Sequence, residues 1–471
     1  MRVSPRGRLR LAVATSAVIL LVAVVVAAMR SSAPPPPPLP GTGQVPRSGD
    51  PFAYSSAAEG SFVQRATAGS GQVLFTKSPG GALATAARVA AYRGTIDAAT
   101  RGTGIDPALV EALVFVESAG RPDVVAGSDP SAAAGLTQIL ADTGSSLLGM
   151  HIDLAQSRRL LTAIGNASSP AQVSRLLTRL GRADDRFDPR KAVAATVRYL
   201  RLAEQKFGRE DLAVVSYHMG IGNLQQVLAG YDGGQPVPYA QLYFDTSPGN
   251  HAATFRLLSG FGDQSSLYFW RVLGAAQIMR LYRSDRSALK RLAGLETGYD
   301  STAQVLHPPD RGVAFADPAA LSSAYAQRTL VPLPGNAAQL GLAYNRSMGA
   351  LAHRLGAPSA LYRGLRPVAL DLLVELAARV RALSGFSGPL IVHSTVLDTR
   401  YQGLLAAQDA PAATGYTFEI TRRYGSAAQA NALQAMLDRL QALNLIAWVR
   451  RPATIEVTVA GDASKVIGHG V

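Results

Sequence analysis

The sequence predicts a multidomain protein: an N-terminal membrane helix, then an all-α domain, then a C-terminal α+β domain. Three observations carry this. Residues 11–28 run for eighteen positions without a charge. Between about 85 and 296, apolar residues recur three and four apart, with Gly, Pro or Asp at the breaks, the pattern of amphipathic helices. From 341 onward, helical stretches alternate with short apolar runs, an α+β order. At 471 residues the chain is long enough for two ordinary domains.

Arg2, Arg6, Arg8 and Arg10 make residues 1–10 a basic tail. A basic tail before an apolar run near the lower limit for a span predicts a signal anchor over 11–28, with the tail in the cytoplasm and the body exported. A cleaved secretory signal is the alternative, with Val26 and Ala28 as a small-residue cleavage site. Either way the body leaves the cytoplasm. Residues 34–38 are all proline, a stiff extended spacer. The Gly, Ser and Ala content up to 84 shows no period, so 29–84 reads as a linker.

The chain has no cysteine, which excludes disulfides, thiol catalysis and thiolate zinc sites. Its formal charge is +14, and subtracting the four tail arginines leaves +10. A basic exported body favours anionic envelope polymers through long-range attraction. Nucleic acid is not expected as a partner, because the basic residues are not interleaved with aromatic ones as single strands require.

In the helical region, the spacing predicts helices over about 106–116, 189–207 and 267–282. Asp106 suits an N-cap and Pro107 the first helical position. Residues 297–340, with His307-Pro308-Pro309 and Val331-Pro332-Leu333-Pro334-Gly335, read as an interdomain connection. The last part, 341–471, predicts helices near 367–383 and 427–443, with strand-like runs at 389–396, 445–449 and 454–459.

One acidic residue stands out. Glu117 ends the apolar segment that begins at Pro107, walled by Val114 and Phe115, where Ser118, Gly120 and Pro122 stop the helix. A carboxyl group in that setting has its pKa raised, as a general acid near neutral pH requires. A surface or capping glutamate is the other reading of the residue alone.

Glu117-Ser118 followed by Gly135-Leu136-Thr137-Gln138-Ile139 resembles the active-site signature of the lysozyme-like lytic transglycosylases of the soluble type. Ser216-Tyr217-His218-Met219-Gly220-Ile221-Gly222-Asn223 is similar to that family's Ala-Tyr-Asn-Ala-Gly-x-Gly-Asn motif. Tyr268-Phe269-Trp270-Arg271-Val272 resembles its final tyrosine motif. The resemblance spans about 85–296 and implies a lysozyme-like fold with a groove for peptidoglycan glycan strands. It implies that Glu117 is the catalytic acid and base. Gln138 and Tyr217 line the groove, and Tyr268 orients the glutamate or the sugar. Ser118 and His218 enter as substrate-binding positions through their motifs, and Ser128 stands in for a family serine that contacts the glutamate. Thr137, His218 and Met219 replace a usual methionine, asparagine and alanine, which bears on sugar preference.

Ordinary glycosidases need two carboxyl groups. In the reaction this resemblance implies, one is enough: it protonates the oxygen between MurNAc and GlcNAc, then takes the proton of the MurNAc C6 hydroxyl as that oxygen closes on C1. The product is a 1,6-anhydro ring and no water is consumed. No metal or other cofactor is expected. Asp123, Asp129 and Asp142 are candidates for a second, hydrolytic carboxylate, though as loop residues they are commonly turn formers.

The C-terminal part resembles the zinc D-alanyl-D-alanine carboxypeptidases, through Pro389-Leu390-Ile391-Val392-His393-Ser394, Arg400-Tyr401-Gln402, Thr414-Gly415-Tyr416-Thr417-Phe418-Glu419-Ile420 and Thr454-Ile455-Glu456-Val457. Ala412 stands at the family's first zinc histidine, Glu419 at its aspartate and Glu456 at its later histidine. A catalytic zinc needs three ligands and favours imidazole, so the expectation is a carboxypeptidase-like fold without zinc that binds wall or acts as a scaffold. An unrelated α+β unit is the alternative.

Three functions therefore compete: an exported, membrane-anchored lytic transglycosylase, a lysozyme-type muramidase using the same groove, and a non-catalytic wall-binding scaffold. Peptidoglycan is the expected partner in all three, beside the membrane, and other wall enzymes are candidate partners.

Overall fold

A computed structural model describes residues 51–262, 265–298, 301–308, 314–406 and 409–467. The expected anchor over 11–28 and the proline run lie outside these residues. Among the described residues, no helix is long and apolar enough to cross a membrane.

The chain forms two units. The first gathers 73–239 and 257–290. It is helical, and its starts follow local chemistry: Asp106, Ser169 and Asp188 each cap a helix with a side-chain oxygen, and each is followed by a proline at the first helical position. These caps begin Pro107–Ser118, Pro170–Ala183 and Pro189–Phe207. Gly208, at φ 69°, closes the last of them in the left-handed region.

Pro107–Ser118 lies at the centre of this unit and packs against Tyr268–Ser284, Ala82–Ala90, Arg93–Thr100 and Pro189–Phe207. Its residues from Leu109 to Phe115 are all buried. That includes Glu111, whose Oε2 accepts from Arg93 at 3.1 Å and also pairs with Arg283. Two guanidinium groups compensate a carboxylate that would otherwise be very costly to bury. The helix is thereby tied to Arg93–Thr100 and to the far end of Tyr268–Ser284.

The second unit gathers 51–72, 240–256 and the chain from 291 onward. Its main sheet comprises Leu342–Tyr344 (β2), Leu390–Ser394 (β4), Thr417–Thr421 (β5), Ile446–Arg450 (β6) and Thr454–Val459 (β7), in the order β2-β4-β5-β7-β6. β2 and β4 are parallel and the other pairs antiparallel. Val331–Pro332 (β1) and Gly364–Leu365 (β3) form a separate small pair. Helices Pro367–Ser384 and Ala427–Ala442 pack on each other and on the sheet. The helix Ser301–Leu306 also lies against β6 and β7. Every residue of β7 is buried, as a strand covered on both faces must be.

Three expected boundaries differ from this arrangement. The linker read over 29–84 is helical at Glu59–Gly69, Gln72–Thr76 and into Ala82–Ala90. Its small residues serve close packing instead of flexibility: a Cβ on Gly69 would come 2.3 Å from the Gln441 carbonyl oxygen. The helical run read as continuous over 85–296 gives up 240–256 and its last residues to the second unit. The connection read over 297–340 contains helices Ser301–Leu306 and Pro318–Ala326 and the strand β1.

Candidate active site

The helix Pro107–Ser118 ends abruptly. Ala119 adopts a left-handed conformation at φ 55°, and Gly120 follows at φ 74°. Gly120 is required twice over, since a Cβ there would also meet Arg88 and Val89 at 2.9 Å. Arg88 Nε donates to the Ala119 carbonyl at 2.9 Å, satisfying one of the acceptors a helix end leaves open. Glu117 is thus held at a fixed helix terminus.

Its carboxyl group is partly buried. The buried Tyr268 phenol donates to Oε1 at 2.5 Å. Burial pushes the Glu117 pKa up to about 7, and the Tyr268 hydrogen bond partly opposes it. Among the described residues, no second carboxylate acts on it. Tyr268 in turn is held protonated: burial and the facing Glu117 raise its pKa well above the ordinary tyrosine range.

Tyr217 donates to the Thr137 carbonyl at 2.8 Å, shares a 3.1 Å bond with the Thr196 hydroxyl, and packs edge-on against Tyr199 at 5.1 Å. Burial and then the Glu117 charge raise its pKa. His218 packs at 4.8 Å against the ring of Tyr268, tilted by 34°, and bonds through Nδ1 to the Ser265 hydroxyl at 2.9 Å. The pairing with Tyr268 places it beside the carboxyl's own orienting group.

Gln138 stands in a turn at φ 51°, unusual for a residue with a side chain. Its Nε2 donates to the Val124 and Gly135 carbonyls at 3.0 and 2.8 Å, leaving the amide oxygen as the end for a ligand. Glu117, Tyr268, Tyr217 and His218 are therefore joined by direct contacts or charge, with Gln138 next to the carbonyl that Tyr217 binds.

Two expected positions fall outside this group. Ser118 is buried, and its hydroxyl turns back to the Val114 carbonyl at 3.3 Å, the usual i−4 bond of a helical serine. Its hydroxyl is spent within its own helix. Ser128 is exposed on the loop, and no hydrogen bond joins it to Glu117. Of the loop aspartates, Asp129 is engaged by Arg158 at 2.6 and 3.1 Å.

The motifs missed the residues that hold the loop. Arg186 is fully buried and pairs with the equally buried Asp184. It reads in sequence as one charge in an Asp-Asp-Arg turn, so only its contacts reveal its role.

In the second unit, Ala412 is buried in the turn Pro411–Thr414. Glu419 and Glu456 are cross-strand partners on β5 and β7. Arg451 lies between the acids, 2.8 Å from Asp409 and 2.5 Å from Glu456. His393 Nε2 is 4.0 Å from Glu419. Burial and the neighbouring Asp409 carboxyl push Glu456 up to about 8. Among the described residues, no three His, Asp or Glu side chains are grouped to hold a metal.

Residues 94–166 and 168–235 match the family model described as the transglycosylase SLT domain. The matched segments contain Glu117, Gln138, Tyr217 and His218, whereas Tyr268 lies beyond them. No curated protein matches the chain.

Proposed function

We propose, from the premise that this chain carries a transglycosylase SLT domain, whose family members are lytic transglycosylases acting on peptidoglycan, that Glu117 cleaves the MurNAc–GlcNAc β-1,4 bond with formation of 1,6-anhydro-MurNAc. The observation that carries the reading is a lone carboxyl group with its pKa near 7, hydrogen-bonded by a buried phenol. At neutral pH a large fraction of Glu117 carries the proton that the glycosidic oxygen needs. Tyr268 occupies Oε1, so Oε2 delivers that proton and, as carboxylate, takes one from the C6 hydroxyl. The bond from C1 to the protonated GlcNAc oxygen breaks first, and the C6 oxygen, losing its proton to Oε2, then closes on C1 from the face the leaving group has vacated.

A muramidase would need a second carboxylate to activate water or trap the sugar. No carboxylate charge contributes to the raised Glu117 pKa, and the transglycosylase match supports the intramolecular hydroxyl as nucleophile. Gln138 keeps an amide oxygen suited to accept from a sugar hydroxyl, while Tyr217 spends its phenol hydrogen on the Thr137 carbonyl of the same turn.

The anchor over 11–28 belongs to this proposal, placing the catalytic body on the wall side of a membrane. So does the C-terminal unit as a carboxypeptidase-like, zinc-free wall-binding module: Arg451 supplies a positive charge among Asp409, Glu419 and Glu456, and Ala412 offers no ligand.

The test is mass spectrometry of purified peptidoglycan incubated with the full chain and with Glu117→Gln. Anhydro-MurNAc ends from the parent and none from the variant are expected. Reducing MurNAc ends would point to a muramidase, and binding without cleavage to a scaffold.

A further inference from the structure

Arg186 uses all five of its N–H donors. Nε and Nη2 grip the two Asp184 carboxylate oxygens at 3.0 and 2.7 Å. Nη2 also reaches the Pro130 carbonyl at 2.6 Å, and Nη1 reaches those of Ala132 and Ile139 at 2.9 and 3.3 Å. Three carbonyls from both limbs of one turn are thus held by a single planar group. A guanidinium can do this, and an ammonium with three donors cannot.

The main chain of Arg186 shapes the same turn. Gly135 sits at φ 81°, and a Cβ there would lie 1.8 Å from the Arg186 carbonyl oxygen. The turn is further seated on a helical hairpin, Leu154–Gly165 and Pro170–Ala183. Ala134 joins Leu160, Leu176, Leu180, Ala183 and Phe187 in one apolar cluster. Ser157, on the first helix of this hairpin, donates to Asp184 at 3.1 Å.

The held turn carries Thr137 and Gln138. Tyr217 binds the Thr137 carbonyl and feels the Glu117 charge. A chain of direct contacts therefore runs from Arg186, through the turn, to the groups around the carboxyl.

We propose that Arg186, paired with Asp184, is a positioning residue for glycan binding, fixing the 130–139 turn, which Tyr217 braces at the Thr137 carbonyl, so that Gln138 presents its amide oxygen to the sugar. This rests on the glycan-strand reading above. It predicts that the contribution of Gln138 to binding exists only while Arg186 holds the turn.

The test is a double-mutant cycle on the full chain in a Glu117→Gln background, reading affinity for a GlcNAc–MurNAc tetrasaccharide. Gln138→Ala is expected to weaken binding about tenfold when Arg186 is present and less than about twofold in Arg186→Lys, because coupled residues are not additive. If Arg186→Lys does not fold, the variant Arg186→Met with Asp184→Leu carries the same cycle, since it leaves no buried charge unpaired.

Equal Gln138→Ala effects in both backgrounds, or no effect in either, would overturn the inference and leave the proposed function standing. Binding with the expected coupling, but no anhydro ends from the Glu117-intact chain, would overturn the reaction and leave the inference. No tetrasaccharide binding by any form would overturn both.

Discussion

At the scale of single residues, Glu117 trades stability for chemistry. Its ordinary pKa is 4.5 and its folded value is about 7. Below pH 4.5 the group is protonated in both folded and unfolded chains and costs nothing. Between 4.5 and 7 the unfolded chain releases the proton while the folded one keeps it, so stability falls as pH rises, by at most about 3 kcal/mol in full. Glu117→Gln is therefore expected to raise Tm by several degrees at pH 8 and hardly at all at pH 4.5, a comparison two thermal melts make. Tyr268→Phe removes the bond that lowers the Glu117 pKa. The alkaline limb of its pH–rate profile is expected to move upward while the rate falls about 10- to 100-fold, the range of a hydrogen bond to a charged group. Glu117, Tyr217 and Tyr268 could be picked out in the sequence as candidates because each stands in a motif with its own chemistry, and the structure joins them by contact or charge. Ser118 stands in one too, but its hydroxyl bonds back to the Val114 carbonyl four residues before it.

At the scale of elements, caps and prolines announced the helices, and apolar runs announced β4, β6 and β7. Two kinds of element escaped. Glycine and alanine between 59 and 84 look like a linker in composition, although they are the residues that let Glu59–Gly69 approach Ala427–Ala442 within backbone contact. Gly69→Val should place a branched side chain against the Gln441 carbonyl and cost stability of about 2 to 4 kcal/mol, measurable as a shifted denaturant midpoint with an unchanged slope. The turn over 130–139 escaped for another reason: its shape is dictated by Arg186, more than forty positions away, and no local pattern encodes a bond from so far along the chain. Gly135→Ala should disturb that turn without touching Glu117. It is expected to lower glycan affinity while leaving the pH–rate profile in place.

At the scale of the molecule, the formal charge of +14, or +10 once the four tail arginines are subtracted, sets how the chain would meet an anionic polymer. Attraction of this kind is long-ranged and screened by salt, whereas the short-range sugar contact proposed for Gln138 would not be. Raising ionic strength from about 0.05 to 0.3 M should therefore weaken sedimentation with whole sacculi carrying anionic polymers more than it weakens binding of an uncharged tetrasaccharide analogue. Equal losses would refute the electrostatic contribution. The two units differ in what composition can reveal. Helical periodicity and ordered motifs marked the first, while the second is assembled from three separated segments of the chain, a topology that no local pattern announces.

The single bond from Tyr268 to one carboxyl oxygen also bears on how consecutive turnovers are linked. In the proposed reaction, with Oε1 engaged, the other oxygen would give a proton to the departing sugar and recover one from the C6 hydroxyl. Each cycle then returns the enzyme in its acid form, armed by the substrate and not by the surrounding water. Above pH 7 a free enzyme must wait for a proton before its first cut, but an enzyme still holding its strand does not. Alkaline conditions should accordingly suppress the start of cleavage more than its continuation, so that the strands that are cut are cut many times.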